Sequence, residues 1–190
     1  MQEGQHQQQQ MMMMMSWGKF AATIAVSTFV MFFLMYQLIY SLDHAMFSVN
    51  RLLAALVMGC TMTFIMVAFM WSMFKGMMTK AVVLIGALVL AIAILLINRS
   101  EALVGDVVFM KSMTPHHSIA IANARKAHIS DPRVRKLADE IISSQVREIA
   151  EMKLLIDDID KSGERGKQSL APIPATVTPD MEPKIRDAVQ

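Results

Sequence analysis

Three long stretches without a charged side chain decide what this chain can fold into. Phe20 to Leu42 is bounded by Lys19 and Asp43, Leu52 to Phe74 by Arg51 and Lys75, and Ala81 to Asn98 by Lys80 and Arg99. The first two stretches, 20–42 and 52–74, are 23 residues long and the third, 81–98, is 18. A helix rising about 1.5 Å per residue crosses a hydrocarbon core of roughly 30 Å in about 20 residues. Backbone in lipid must satisfy its own hydrogen bonds, so runs of this length in a hydrocarbon core are helices. Trp17, Tyr36, Tyr40 and Trp71 lie towards the ends of the runs, as interfacial aromatics do. The expectation is an all-α protein with a three-helix transmembrane domain over 17–99 and the lipid bilayer as its first partner.

An odd number of spans puts the two ends of the domain on opposite sides. Lys75 and Lys80 bracket a short loop and lean it towards the cytoplasm, whereas Asp43 offsets Arg51 in the other loop. That leaning gives a cytoplasmic N-terminus and an exported C-terminal part. Residues 1–16, "MQEGQHQQQQMMMMMS", are a low-complexity tail, too polar at its start to bury much surface. The apolar run behind it is too long for a cleavable signal peptide and has no small-residue cleavage pattern.

The composition closes off several classes. The formal net charge is +2 and no basic run is present, so nucleic acid is not an expected partner. The single cysteine, Cys60, allows neither a disulfide framework nor a thiolate cluster. Methionine stands out, with 20 residues. Met58, Met62, Met66, Met70, Met73 and Met77 would fall on one side of a continuous helix. Such a stripe reads either as a thioether ladder for a soft ion or as a polarizable packing face, and the second is favoured because nothing polar assists ion entry. His44 and Met46 in the first loop offer a shallow site at most.

After Arg99 the pattern changes to two amphipathic helices, spanning about 105–160, followed by a Pro-containing tail over 161–190 that reads as a flexible end. The first helix runs from Asp106, a plausible cap, to about His128, with Thr114-Pro115 producing a kink or a restart. The "ISDPR" break puts Asp131 at an N-cap and Pro132 at the first helical position. The second helix reads to about Asp160. One line along it carries Val134, Leu137, Ala138, Ile141, Gln145, Glu148, Met152, Leu155 and Ile159, so two polar residues share the face expected to be buried. A buried carboxylate without a partner is costly, so Glu148 should meet a donor or a cation.

The first helix supplies candidates, because Met110, Met113, His117 and His128 share a stripe and His116 lies about 100° round. Folding the hairpin would let Met110, Met113, His116 or His117, and Met152 converge, with Gln145 and Glu148 orienting a histidine from behind. Thioether and imidazole donors suit Cu(I) or Ag(I) better than zinc or iron. The plainer alternative is that these methionines are packing residues and the histidines polar decoration, and spacing alone favours it. Two helices of about 25 residues cannot bury a sufficient core by themselves. Self-association of two hairpins into a four-helix bundle is therefore expected.

The stretch "FMKSMTPHHSIAIANARKAH" together with "DPRVRKLADEIISSQVREIAEMKLLI" resembles the family called domain-of-unknown-function 305, a ferritin-like helical module. The matching positions are Met110, Met113, Pro115, His116, His117, Ala120, Leu137, Ala138, Ile141, Gln145, Glu148, Ile149 and Met152. The chain departs from the pattern at Ile121, Ala122 and Asn123, where many members carry a methionine. The resemblance implies a bacterial inner-membrane protein whose hairpin is periplasmic and binds copper or silver through His and Met, for sequestration or for handover to a copper-handling envelope protein. The alternative is a metal-free, membrane-anchored module acting through oligomerisation or a partner. The ferritin-like shape raises di-iron oxidase chemistry, but the hairpin lacks the Glu-x-x-His pairs that chemistry needs. With no nucleophile-and-base arrangement and no phosphate loop, the expectation is a protein that is not an enzyme.

Overall fold

The computed structural model describes residues 15–166 and 168–189. Apart from Met15 and Ser16, the low-complexity tract at 1–16 lies outside the described residues. Six α-helices are present among them and no strand: α1 (Trp17–Leu34), α2 (Val49–Phe69), α3 (Met77–Arg99), α4 (Asp106–Lys126), α5 (Pro132–Ser162) and the short α6 (Glu182–Asp187). Single 3₁₀ turns occupy Leu42–His44 and Trp71–Met73. The chain divides into two compact units. One contains the residues up to Gln37 with Phe47–Ser112, and the other contains Leu38–Met46 with Met113–Gln190.

In the first unit, α1, α2 and α3 are all long and apolar enough to cross a membrane. Ser16 and Ser48 cap α1 and α2 by accepting the backbone N–H of Lys19 and of Arg51. Phe20, Val67 and Phe74 form the buried cluster, with Trp17 stacked on Phe74 at 4.6 Å between ring centroids. Most other large side chains of these helices point outward, Phe29 being 64% exposed and Val82 62%. Water would not tolerate so much contiguous apolar surface, whereas lipid tails cover it at no cost.

Two details depart from the sequence reading. The first uncharged run is helical only to Leu34. There the Arg51 guanidinium donates to the Met35 carbonyl and lies 4.3 Å from the centre of the Tyr36 ring, while Tyr36 Oη takes the Ser48 N–H at 3.0 Å. These distant partners satisfy the chain end in place of another helical turn. The methionine stripe is also broken. Only Met58, Met62 and Met66 lie within α2, Met70 is its C-cap, Met73 sits in the 3₁₀ turn and Met77 opens α3. Gly76, at φ +83°, makes the reversal between them, a conformation that disfavours any side chain. Lys80 then fastens the turn by donating to the Trp71 carbonyl at 2.9 Å.

In the second unit α4 and α5 form a hairpin. Asp131 Oδ1 accepts the Arg133 N–H at 2.9 Å and Pro132 occupies the first helical position, as expected from the break. Gly163, at φ +77°, ends α5 by donating to the Ile159 carbonyl at 2.8 Å. Pro115 neither stops nor restarts α4, which runs unbroken through it with the ring fully buried. Asp106 is the first helical residue of α4 rather than a cap. The tail beyond Gly163 is irregular apart from α6.

The buried line on α5 shares Ala138 and Met152 with the one the sequence suggested but otherwise turns towards Ile149 and Ile156. Ala138, Ile149, Met152 and Ile156 are buried, whereas Val134, Leu137, Ile141 and Leu155 are 49%, 57%, 39% and 51% exposed. Ala138, Ile142, Gln145, Ile149, Met152 and Ile156 follow alternating steps of four and three, which keeps one narrow face on a partner helix. The helix carries two adjacent apolar stripes, and a two-helix hairpin can cover only one of them.

Candidate functional site

The second unit centres on α4, whose Thr114, Ser118, Ile121 and Ala122 are buried. His117 lies on the face that looks towards α5, with its side chain 12% exposed. Its Nε2 is 2.7 Å from Glu148 Oε2, and its Nδ1 is 2.9 Å from the Met113 carbonyl one turn back. Both partners are acceptors, and an N–H on Nε2 gives the charge-assisted bond to Glu148. Glu148 is held in turn: Ser144 Oγ donates to Oε1 at 2.6 Å and Gln145 Nε2 approaches Oε2 at 3.3 Å. The Ser144 hydrogen bond above all holds the Glu148 carboxyl below the usual glutamate range; desolvation opposes it, and the contact with His117 lowers it further.

The expected donor for Glu148 is therefore a ring nitrogen of His117, and Gln145 braces the carboxylate. Ser144, one helical turn before Glu148, was not anticipated. A serine four residues ahead of a glutamate on an otherwise apolar face is the signal that would have found it.

The other expected site residues are placed as follows. The His117–Glu148 contact fixes the antiparallel register of the hairpin. One turn along, four residues back on α4 and four forward on α5, that register sets Met113 level with Met152. Met152 is buried and Met113 half-buried. Met110, three residues before Met113, is buried in the part of α4 that belongs to the first unit. His116 is exposed, its ring centroid 6.0 Å from that of His117. Among the described residues, no three His, Cys, Asp or Glu side chains gather into a group that could hold a metal. The soft donors fit a thioether-binding ion, but both ring nitrogens of His117 are already engaged. An ion bound there must displace Glu148 or the Met113 carbonyl.

A second cluster in this unit escaped the sequence reading. The loop Leu38–Met46 is tied to the hairpin. Ser118 Oγ, fully buried, accepts the Tyr40 N–H at 2.8 Å and lies 3.0 Å from His44 Nδ1. Lys153 Nζ meets Asp43 Oδ2 at 2.5 Å, and Ser41 also donates to that carboxylate. Lys153 first, then Ser41, hold the Asp43 carboxyl well below the usual carboxylate range, while burial pushes His44 down. His44 thus acts as a docking residue of the loop, with its Nδ1 committed to Ser118.

With only helices among its described residues, three of them able to cross a membrane, and a hairpin closed by a histidine–carboxylate pair, the chain is, as a class, a helical-hairpin protein with candidate membrane spans. Within it, residues 106–187 match the family described as Domain of unknown function (DUF305). An uncharacterized protein of Acanthamoeba polyphaga mimivirus is 36% identical over 77 residues, which cover 40% of this chain and 51% of that protein. The chain thus spans about half the length of the curated relative it matches. No solved structure matches it.

Proposed function

We propose that the hairpin is a binding module for a soft monovalent ion, Cu(I) or Ag(I), carried on a membrane anchor and serving sequestration or handover rather than catalysis. The observation that carries this reading is the 2.7 Å His117–Glu148 contact, whose antiparallel register would set Met113 level with Met152 one turn away. A bound soft ion would supply a centre that thioethers hold without proton loss, whereas an imidazole must first free a nitrogen. Met113, Met152 and His117 are the residues that would hold it, with His116 beside them and Met110 as the further donor that the sequence offers. Glu148 and Gln145 position His117 and compete for its Nε2.

The same proposal places the protein in a bacterial inner membrane with the hairpin periplasmic and a copper-handling envelope protein as its exchange partner. Two observations support the topology. Lys75 and Lys80 flank the short second connection, which favours the cytoplasm for that side. Three crossings also bring the first connection and the hairpin out on one side, in keeping with the Tyr40–Ser118 and Asp43–Lys153 contacts. The exposed stripe of Val134, Leu137, Ile141 and Leu155 fits a homo-oligomer in which two hairpins complete a four-helix bundle.

A second reading is favoured by the fully engaged ring of His117: a metal-free interaction module in which His117–Glu148 is a structural latch. Cu(I) titration of the full chain in detergent against a competing chelator separates the two. Tight binding that is lost in Met113→Leu/Met152→Leu supports the metal module. Binding that is absent, or equal in the variant, eliminates it and leaves the latch.

A further inference from the structure

We propose that Arg125 of α4 and Arg135 of α5 form a site for a phosphate-type oxyanion at the closed end of the hairpin. Arg125, Arg135, Asp139 and Ile142 line a pocket of about 420 Å³ there. That space holds far more than one water, whose share of liquid volume is about 30 Å³. The site is separate from the His117–Glu148 pair and does not depend on what that pair binds.

The two guanidinium groups are held in place by the protein before any ligand arrives. Arg135 Nη2 donates to the Ala124 carbonyl at 3.0 Å and pairs with Asp139 Oδ1 at 2.8 Å, so the fork is fixed across the hairpin. Arg135 Nε is shielded from solvent and, among the described residues, has no hydrogen-bond partner. An orphan N–H of a permanent cation is costly, and a small shift of the Arg135 side chain that brings it to an incoming oxygen relieves that cost. Arg125 lies with its guanidinium carbon 5.2 Å from the centre of the Tyr40 ring, which orients the group while leaving its N–H edges for a ligand. Asp139 is the one carboxylate lining the pocket. It is paired to Arg135 and its side chain is 64% exposed, so two guanidinium charges against one carboxylate leave the pocket positive.

The two forks come from different helices. A tetrahedral anion presents oxygens in several directions and can bridge them, whereas the two oxygens of a carboxylate lie in one plane. Tyr40 belongs to the connection that follows the first apolar helix, so a phospholipid headgroup is one source of such a phosphate and free phosphate is the other.

The test uses the full chain in a nonionic detergent, titrated calorimetrically with inorganic phosphate and, separately, with a short-chain phosphatidic acid. Arg125→Gln removes one fork without touching a backbone hydrogen bond, and Arg135→Lys keeps the second charge but loses the fork and its Nε. The expected result is saturable binding of at least one probe, weakened about tenfold or more in Arg125→Gln and again in Arg135→Lys. Preference for the lipid identifies the headgroup as the source, and preference for inorganic phosphate identifies the free ion. If neither probe binds, or if Arg125→Gln binds as tightly as the parent, the site does not exist.

Discussion

Replacing Glu148 by glutamine isolates the charge of the histidine–carboxylate pair while keeping its shape. In the parent, Glu148 accepts from His117 Nε2 at 2.7 Å and from Ser144 Oγ at 2.6 Å. A glutamine can still turn its oxygen to His117 and let Ser144 Oγ accept from its amide, so no donor is stranded. What disappears is the charge assistance. A hydrogen bond to an ionised group contributes roughly 1.5–3 kcal/mol and a neutral one about 0.5–1.5. The Glu148 side chain is 33% exposed, and solvent screening takes the expected loss to the low end, about 1 kcal/mol. That corresponds to about fivefold faster opening of the hairpin, read as backbone hydrogen exchange over residues 113–126 and 144–156 in the full chain. The pH dependence has a definite sign. The folded carboxyl is held below its ordinary value of about 4.3, so its contribution is complete above that pH and is lost as the pH falls through the lower folded value. Equal exchange in parent and variant at pH 7, or a difference that survives unchanged well below pH 4, would refute the latch.

Other perturbations test the rest of the framework. Ile121 is 1% exposed, so Ile121→Ala should cost the hairpin about 2–5 kcal/mol, measured by thermal or denaturant unfolding. In the membrane unit, a Cβ on Gly59 would lie 2.4 Å from Thr28 Oγ1. Gly59→Ala should therefore lower thermal stability, by an amount equivalent to about 1–3 kcal/mol of overpacking, and Thr28→Ala should restore most of the loss. Asp43→Asn should release the loop, seen as faster exchange over residues 38–46. The difference should be complete above about pH 3.9 and fade as the pH falls towards the depressed value of the folded carboxyl.

Much of the fold was legible because single residues with one physical meaning marked it. Charges bracketed the three apolar runs, and Asp131-Pro132 could only begin a helix. The parts that were not legible depended on partners far away in sequence. An uncharged run reports hydropathy, not helix, so nothing in 20–42 shows that Arg51 and Ser48 take over the chain end after Leu34. The methionine stripe assumed one uninterrupted helix through Met77, but α2 ends at Phe69 and the reversal at Gly76 puts Met77 on the next helix.

The choice of buried stripe on α5 shows the same limit in a form that bears on function. A helical wheel ranks faces by apolar content, and by that measure the line through Leu137, Ile141 and Leu155 competes with the line through Ala138, Ile149 and Ile156. Close approach of two helices selects between them. Ala138 is a small side chain that lets a neighbour come near, and Ile149 and Ile156 fill the turns beyond it. Glu148 then falls at the border between the covered stripe and the open one, where a carboxylate can reach His117 and still keep part of its hydration. Set in the centre of the buried stripe, it would have been desolvated at a cost the 2.7 Å contact need not repay. Set on the open face, it could not have reached the ring. A glutamate on an apolar face thus marks the seam's edge, and the partner it finds across that edge is the residue to test first.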